Sequence, residues 1–204
     1  MLRALALAAA LPLASLSTLG HLKPAPPAGM LGPEGIPIPA ALILGPRSSP
    51  ALGQGVDGIK CQRAEHLLFH IHAHLTIFVN GKARQVPYGI GIAPPLYGQN
   101  LANGAVVNSG SCFSWLHTHA SDGLIHIESP VRRTFTLGDF FDLWRQALSR
   151  KQVGAARGRV VAIYNDKVWT GEPRAIPLTQ HAQIQLEVGK PLVAPESITW
   201  PSGL

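Results

Sequence analysis

The sequence predicts an α+β domain, a mostly antiparallel sheet with one packing helix. Three observations carry that prediction. Residues 67–79 alternate apolar and polar side chains and end at Asn80-Gly81, a pair suited to a tight hairpin. One segment, opening at Thr136, has apolar residues at helical spacing. Two more alternating stretches, 160–169 and 182–188, follow it.

Taken in order, the strand over Leu67–Val79 puts Phe69, Ile71, Ala73, Leu75, Ile77 and Val79 on one face. His70, His72, His74, Thr76 and Phe78 fall on the other. A return strand runs from about Lys82 to Val86. A loop follows, marked by Pro94, Pro95, Gly98, Asn103 and Gly104. Phe113–His119 and Leu124–Glu128 read as a second pair of strands around the turn Ala120–Gly123. Thr136 caps the helix, with Asp139 completing a capping box. Leu137, Phe140, Phe141, Trp144 and Leu148 form its buried stripe. Val160–Tyr164 and Lys167–Trp169 form a hairpin about Asn165-Asp166, and Ala182–Val188 is the last strand. A β-grasp arrangement is one candidate for their assembly.

The chain divides into three parts. Residues 1–20 read as a signal peptide: Arg3, then an apolar run from Ala4 to Ala14 that is too short to span a bilayer, then small residues to Gly20. No cysteine lies near the cleavage region, which argues against a lipoprotein anchor. Residues 21–58 are a Pro/Gly-rich linker or extended arm, in which Ile36, Ile38, Leu42, Ile43 and Leu44 suit a surface groove. Residues 59–204 form the domain. The sequence is thus that of an extracytoplasmic protein (periplasmic, secreted or cell-surface) with no membrane span after signal cleavage. Cys61 and Cys112, the only cysteines, fit a disulfide in that compartment; two thiolate ligands are the alternative.

The formal net charge is +6. Its densest basic group, Arg145, Arg150, Lys151, Arg157 and Arg159, lacks interleaved aromatics and reads as a solvated loop, so no nucleic-acid partner is expected. Phosphate loops and nucleotide motifs are absent from the sequence, which removes kinase and dehydrogenase readings.

The chemistry lies in the histidines. His70, His72 and His74 share a strand face; His117 and His119 repeat the spacing, and His126 with Glu128 repeats it again. Neutral imidazole needs both a donor and an acceptor partner, and a clustered charged set repels itself. A metal ion resolves both difficulties. The six histidines are therefore read as metal ligands, with His72, His117 and His119 foremost. Glu128 is a ligand, a base, or the group that orients a histidine. Asp122 reads as a turn former, and His66 and His181 as non-ligands. A nitrogen-rich set suits Cu(II) or Zn(II), and with methionine only at Met1 and Met30 a thioether site is disfavoured. Cleavage after Gly20 would also expose His21 as an N-terminal chelate.

The blocks His70-Ile-His-Ala-His, Cys112 to Trp115-Leu-His-Thr-His119, Gly123-Leu-Ile-His126-Ile-Glu128-Ser-Pro and Phe135-Thr-Leu-Gly-Asp-Phe-Phe resemble a group of uncharacterised bacterial proteins that are exported or membrane-anchored. The resemblance spans about residues 57–190 and implies a secreted single domain with a metal site. The His-x-His blocks also look a little like those of cupins but differ in spacing.

Three functions compete. The first is an exported copper or zinc carrier, buffer or sensor. The second is a metalloenzyme, a hydrolase using metal-activated water or a copper or iron oxidase, with Glu128 as base. The third is a pH-responsive structural module. Binding is favoured, because ligands are in surplus and no nucleophile motif is present.

Overall fold

The computed structural model describes residues 13–14, 22–25 and 29–204. The signal-peptide segment and His21 therefore lie outside the described residues, apart from Leu13–Ala14, which pair with Val168 and Trp169. The elements that matter here are β1 (Ile59–Gln62), β2 (Phe69–Val79), β3 (Lys82–Arg84), β4 (Tyr97–Leu101), β5 (Gly104–Ser109), β6 (Cys112–Ser114), β7 (Leu116–His117), β8 (Leu124–Ser129), α1 (Leu137–Trp144), β9 (Val160–Tyr164), β10 (Lys167–Trp169) and β11 (Ala182–Val188). The fold is α+β, a mostly antiparallel sheet with a single α-helix among the described residues.

The main sheet has the order β10-β9-β11-β2-β8-β7. β2 is its spine. One edge of β2 pairs with β11 in parallel over Ala73–Val79, while the other is shared by β8 and, beyond the Asn80-Gly81 turn, by β3. Asn80 and Gly81 adopt φ of 51° and 69°, and Asn165 and Asp166 φ of 47° and 62°, which are the left-handed values two-residue hairpins require. One face of the sheet carries Ala73, Leu75 and Ile77 of β2 and Ile125 and Ile127 of β8, buried with Phe140, Phe141 and Trp144 of the helix. Each of the leucine, isoleucine and phenylalanine side chains contributes roughly 1.5–3 kcal/mol of burial.

Helix α1 is capped as its sequence implies. The Thr136 side chain accepts from the Asp139 N–H, and Asp139 accepts from the Thr136 N–H. The helix is shorter than its apolar stripe suggests. Arg145 turns left-handed, with φ of 57°, and its N–H closes on Phe141 and Asp142. Leu148 lies beyond, in a short strand, yet is still buried in the same core. β4 and β5 form a hairpin where the sequence reads as a loop. Tyr-Gly-Gln-Asn-Leu is exposed throughout and shows no alternation, so no pattern marks it.

The histidine face of β2 is buried at His72 and His74, while His70 near its start is exposed. The segment read as a linker or extended arm lies against the domain: Ile36 is fully buried, the Trp144 indole donates to the Pro46 carbonyl at 2.9 Å, and Gln85 donates to the Pro39 carbonyl at 2.7 Å. Leu44 packs on the core, while Leu42 and Ile43 stay exposed. The C-terminal tail returns over β11, where Gln185 accepts from the Glu196 N–H and Gln183 from the Ile198 N–H.

Glu187 secures the tail by accepting from Gln185 at 2.7 Å and from the Val193 N–H at 3.2 Å. Burial pushes its carboxyl up to about 7, against the lowering effect of those hydrogen bonds. The folded state thus holds this proton more tightly than the unfolded chain does. The contribution of Glu187 to stability is fully present below its unfolded value of 4.5 and is lost as pH rises through about 7. Glu187→Gln is therefore expected to stabilise the protein at pH 8, by on the order of 2–3 kcal/mol, and to change little at pH 4. Melting curves of both proteins at the two pH values check this; equal shifts at both would show that the carboxylate charge is not the cause.

Candidate metal centre

Three neighbouring strands bring the histidines together. In the β2–β8 pair, His126 lies opposite His72 and Glu128 opposite His70; in the β8–β7 pair, His117 lies opposite His126. Directly opposed residues share a face with Cβ atoms about 4.5–5.5 Å apart. The row His72, His126, His117 thus runs across the sheet, flanked by His70, Glu128 and His119.

The imidazoles are closely packed. Nε2 of His70 and Nε2 of His72 lie 3.1 Å apart, as do Nε2 of His117 and Nε2 of His119. The His126 ring stands between the two pairs, its centroid 4.8 Å from that of His72 and 4.6 Å from that of His119. Glu128 Oε1 is 3.2 Å from His70 Nε2 and 3.6 Å from His126 Nδ1. Two further carboxylates complete the cluster: Glu34 of the arm, 2.8 Å from His126 Nε2, and Glu65, 3.7 and 3.6 Å from Nε2 of His117 and His119. Three overlapping sets could hold a metal ion: His70/His72/His126, His117/His119/His126 and Glu65/His117/Glu128, each with its ligand atoms within 4.8 Å of one another.

The second pair shows how these rings could hold a cation. The Nδ1 of His117 faces the Ser114 carbonyl at 2.9 Å, and that of His119 faces the Val107 carbonyl at 2.6 Å. A carbonyl only accepts, so both Nδ1 atoms carry the hydrogen. In the neutral ring Nε2 is then a bare lone pair, and two such lone pairs confront each other. Burial holds His117 well below the usual histidine value and lowers His119, with the charge of His126 acting in the same direction. A carbonyl behind Nδ1 and a free Nε2 is the arrangement that orients a metal-binding histidine.

Local structure sets these orientations. Thr118, between the two histidines, points away: its hydroxyl donates to the Pro87 carbonyl and accepts from the Ile90 N–H. Gly91, at φ of 73°, lets that loop close on the strand, since a Cβ there would meet the Leu116 carbonyl oxygen at 2.2 Å. The Val107 N–H also donates to the His119 carbonyl at 3.0 Å, so β5 grips His119 at both its ring and its backbone.

The first pair leaves a group unpaired whichever tautomer it adopts. If His72 carries its hydrogen on Nδ1, that buried donor has no acceptor. If Nε2 carries it, the lone pair on Nδ1 is stranded. Burial, then the charges of His126 and His70, lower His72 to about 3. The second oxygens of Glu34 and Glu128 are likewise buried without partners. For His126 burial acts downward, but hydrogen bonds and charge from Glu128 and Glu34 prevail and raise it to about 9. Burial, followed by the charge of Glu128, raises Glu65.

Of the six histidines singled out in the sequence, five converge and His74 stands apart. Its Nε2 donates to the Asp122 carbonyl at 2.8 Å, and burial lowers it to about 4. His74 borders a cavity of about 550 Å³ between the arm, the sheet and the tail. Asp122 receives the Leu124 N–H on Oδ1 at 3.0 Å, as a turn former does. His181 stacks on Trp200 and belongs to none of the three sets, nor does His66. Cys61 and Cys112 form a buried disulfide with Cα atoms 5.4 Å apart, so neither offers a thiolate.

Glu34 and Glu65 are the additions. Glu34 is the sole acidic residue between His21 and Val56, and Glu65 the sole one between Cys61 and His70. A lone carboxylate in a segment with no other acidic residue is the signal that marks them. No protein-family model, curated protein or solved structure matches the chain.

Proposed function

We propose that this chain is an exported metal-binding protein, a carrier, buffer or sensor for Cu(II) or Zn(II), which holds its metal through His70, His72, His117, His119 and His126 with carboxylate support. The observation that carries the reading is the His117/His119 pair: two Nε2 lone pairs 3.1 Å apart, both tautomers set by carbonyls. Two nitrogens on one tetrahedral ion stand about 3.4 Å apart, given bonds of roughly 2.0–2.1 Å, so the pair is nearly in place for a shared ion. Imidazole and carboxylate donors, with both cysteine sulfurs in a disulfide, suit Zn(II) or Cu(II) over Cu(I). The disulfide also agrees with an oxidising compartment, as the signal-like N-terminus suggests. No helix among the described residues is long and apolar enough to cross a membrane. Binding is preferred to catalysis because Glu128, the candidate base, is buried between His70 and His126 and serves them.

The test is metal content. Protein exported to the periplasm and purified without a histidine tag or chelator is expected to contain zinc or copper by mass spectrometry. The same preparation with His72→Ala and His119→Ala together is expected to contain neither. A metal-free wild type that also fails to take up Zn(II) or Cu(II) on titration would overturn the reading.

A further inference from the structure

The five histidines cannot all serve one ion. Every ligand of a single ion lies within about 4.2 Å of every other, twice a metal–nitrogen bond of roughly 2.1 Å. Even at the looser limit of 4.8 Å, no set contains members of both close pairs; His70/His72 and His117/His119 fall in separate sets that share only His126. Each pair has its own short Nε2–Nε2 contact of 3.1 Å. Each also has a carboxylate close by, Glu128 Oε1 at 3.2 Å from His70 and Glu65 Oε1 at 3.6 Å from His119, and Glu128, which also falls in a set with Glu65 and His117, borders both pairs. Between them stands His126, which offers two ring nitrogens, with Glu128 near one and Glu34 against the other.

Charge leads to the same division. Three of the chain's eleven acidic residues are gathered on this one cluster. With every ring neutral, as metal ligation requires, three carboxylates exceed what one divalent ion balances, and two divalent ions take them up with one positive charge remaining. The unpartnered second oxygens of Glu34 and Glu128 supply the acceptors that two ions need beyond the five nitrogens.

We infer that the centre is dinuclear. One divalent ion is held by His70, His72 and Glu128, a second by His117, His119 and Glu65, and His126 lies between them with access to both. The inference rests on the metal-binding function proposed above and adds the number and the separate residence of the ions.

The experiment is a titration of metal-free full-length protein with Zn(II), read by calorimetry and by native mass spectrometry. Two equivalents are expected for the wild type. His70→Ala/His72→Ala and His117→Ala/His119→Ala are each expected to retain one. Loading with two equivalents of Cu(II) should show magnetic coupling between neighbouring ions in the electron paramagnetic resonance spectrum, and each pair variant should show an isolated ion. One equivalent in the wild type overturns the dinuclear centre and leaves the proposed function standing. Two equivalents without magnetic coupling place the second ion elsewhere and also overturn it. No binding overturns the proposed function itself. The wild-type stoichiometry and coupling decide the matter even where a pair variant does not fold.

Discussion

Replacing Cys61 and Cys112 together by Ser is expected to destabilise the protein by about 4 kcal/mol, the chain-entropy value for a loop of roughly 50 residues. The two cysteines are 51 positions apart, and the closed loop contains all of β2 and the β4–β5 hairpin. For a domain of this size the melting temperature should fall by about 8–16 °C. The loss should extend to the metal centre. Cys61 stands four residues before Glu65 and Cys112 five before His117, and Cys61 and Gln62 also pair with Ser114 and Phe113 through β1 and β6. The bridge thus holds a carboxylate donor against the histidine pair it faces. Thermal melts of the oxidised and double-serine proteins check the first part, and metal titration of the folded double-serine protein below its melting temperature checks the second. A shift of less than about 1 kcal/mol would show that strand pairing and the Trp115–Gln62 hydrogen bond of 2.6 Å hold this region without the covalent link.

The parts legible in the sequence are those governed by local rules. Period-two alternation placed His70 and His72 on one face of β2, and Asn80-Gly81 and Asn165-Asp166 announced their turns because few other pairs tolerate positive φ. The capping box located the start of α1, whereas its end depends on Arg145 adopting a left-handed conformation, which an arginine does not advertise. Alternation also implied one core face and one polar face for β2. The second face is buried too at His72, His74 and Phe78, with His70 left exposed, because the arm and tail lie over it, and segments dominated by proline and glycine carry no period from which docking can be read. The site follows the same division. The strand-borne histidines were visible as a pattern. Glu34, Glu65 and the carbonyl of Val107 reach the cluster through tertiary contacts made by an arm, a loop and a hairpin without alternation. His74 had the same spacing as His72 and was drawn elsewhere by the Asp122 carbonyl, a contact that spacing alone does not encode.

Metal should stabilise the wild-type fold strongly, and His72→Ala with His119→Ala should remove most of that stabilisation. A ligand that binds only the folded state adds about 4 kcal/mol when its free concentration is 1,000 times its dissociation constant. The melting temperature of wild-type protein should therefore rise by roughly 8–16 °C when Zn(II) or Cu(II) is supplied at that excess. The double variant takes one nitrogen from each close pair. Structural zinc sites with four ligands are worth about 10–16 kcal/mol, so each ligand carries roughly 3 kcal/mol, and affinity should fall about 100-fold or more at each pair. Without metal, the substitutions trade lost packing against relief of the confronted lone pairs at His119 and the stranded ring nitrogen at His72. These effects oppose each other, so the metal-free variant should melt close to the metal-free wild type. The readout is the difference between the metal-induced shifts of the two proteins, which cancels any general cost of the substitutions. An undiminished shift in the double variant would mean that the metal binds through other residues; a shift absent from both would mean that the confronted imidazoles are stabilised in some other way.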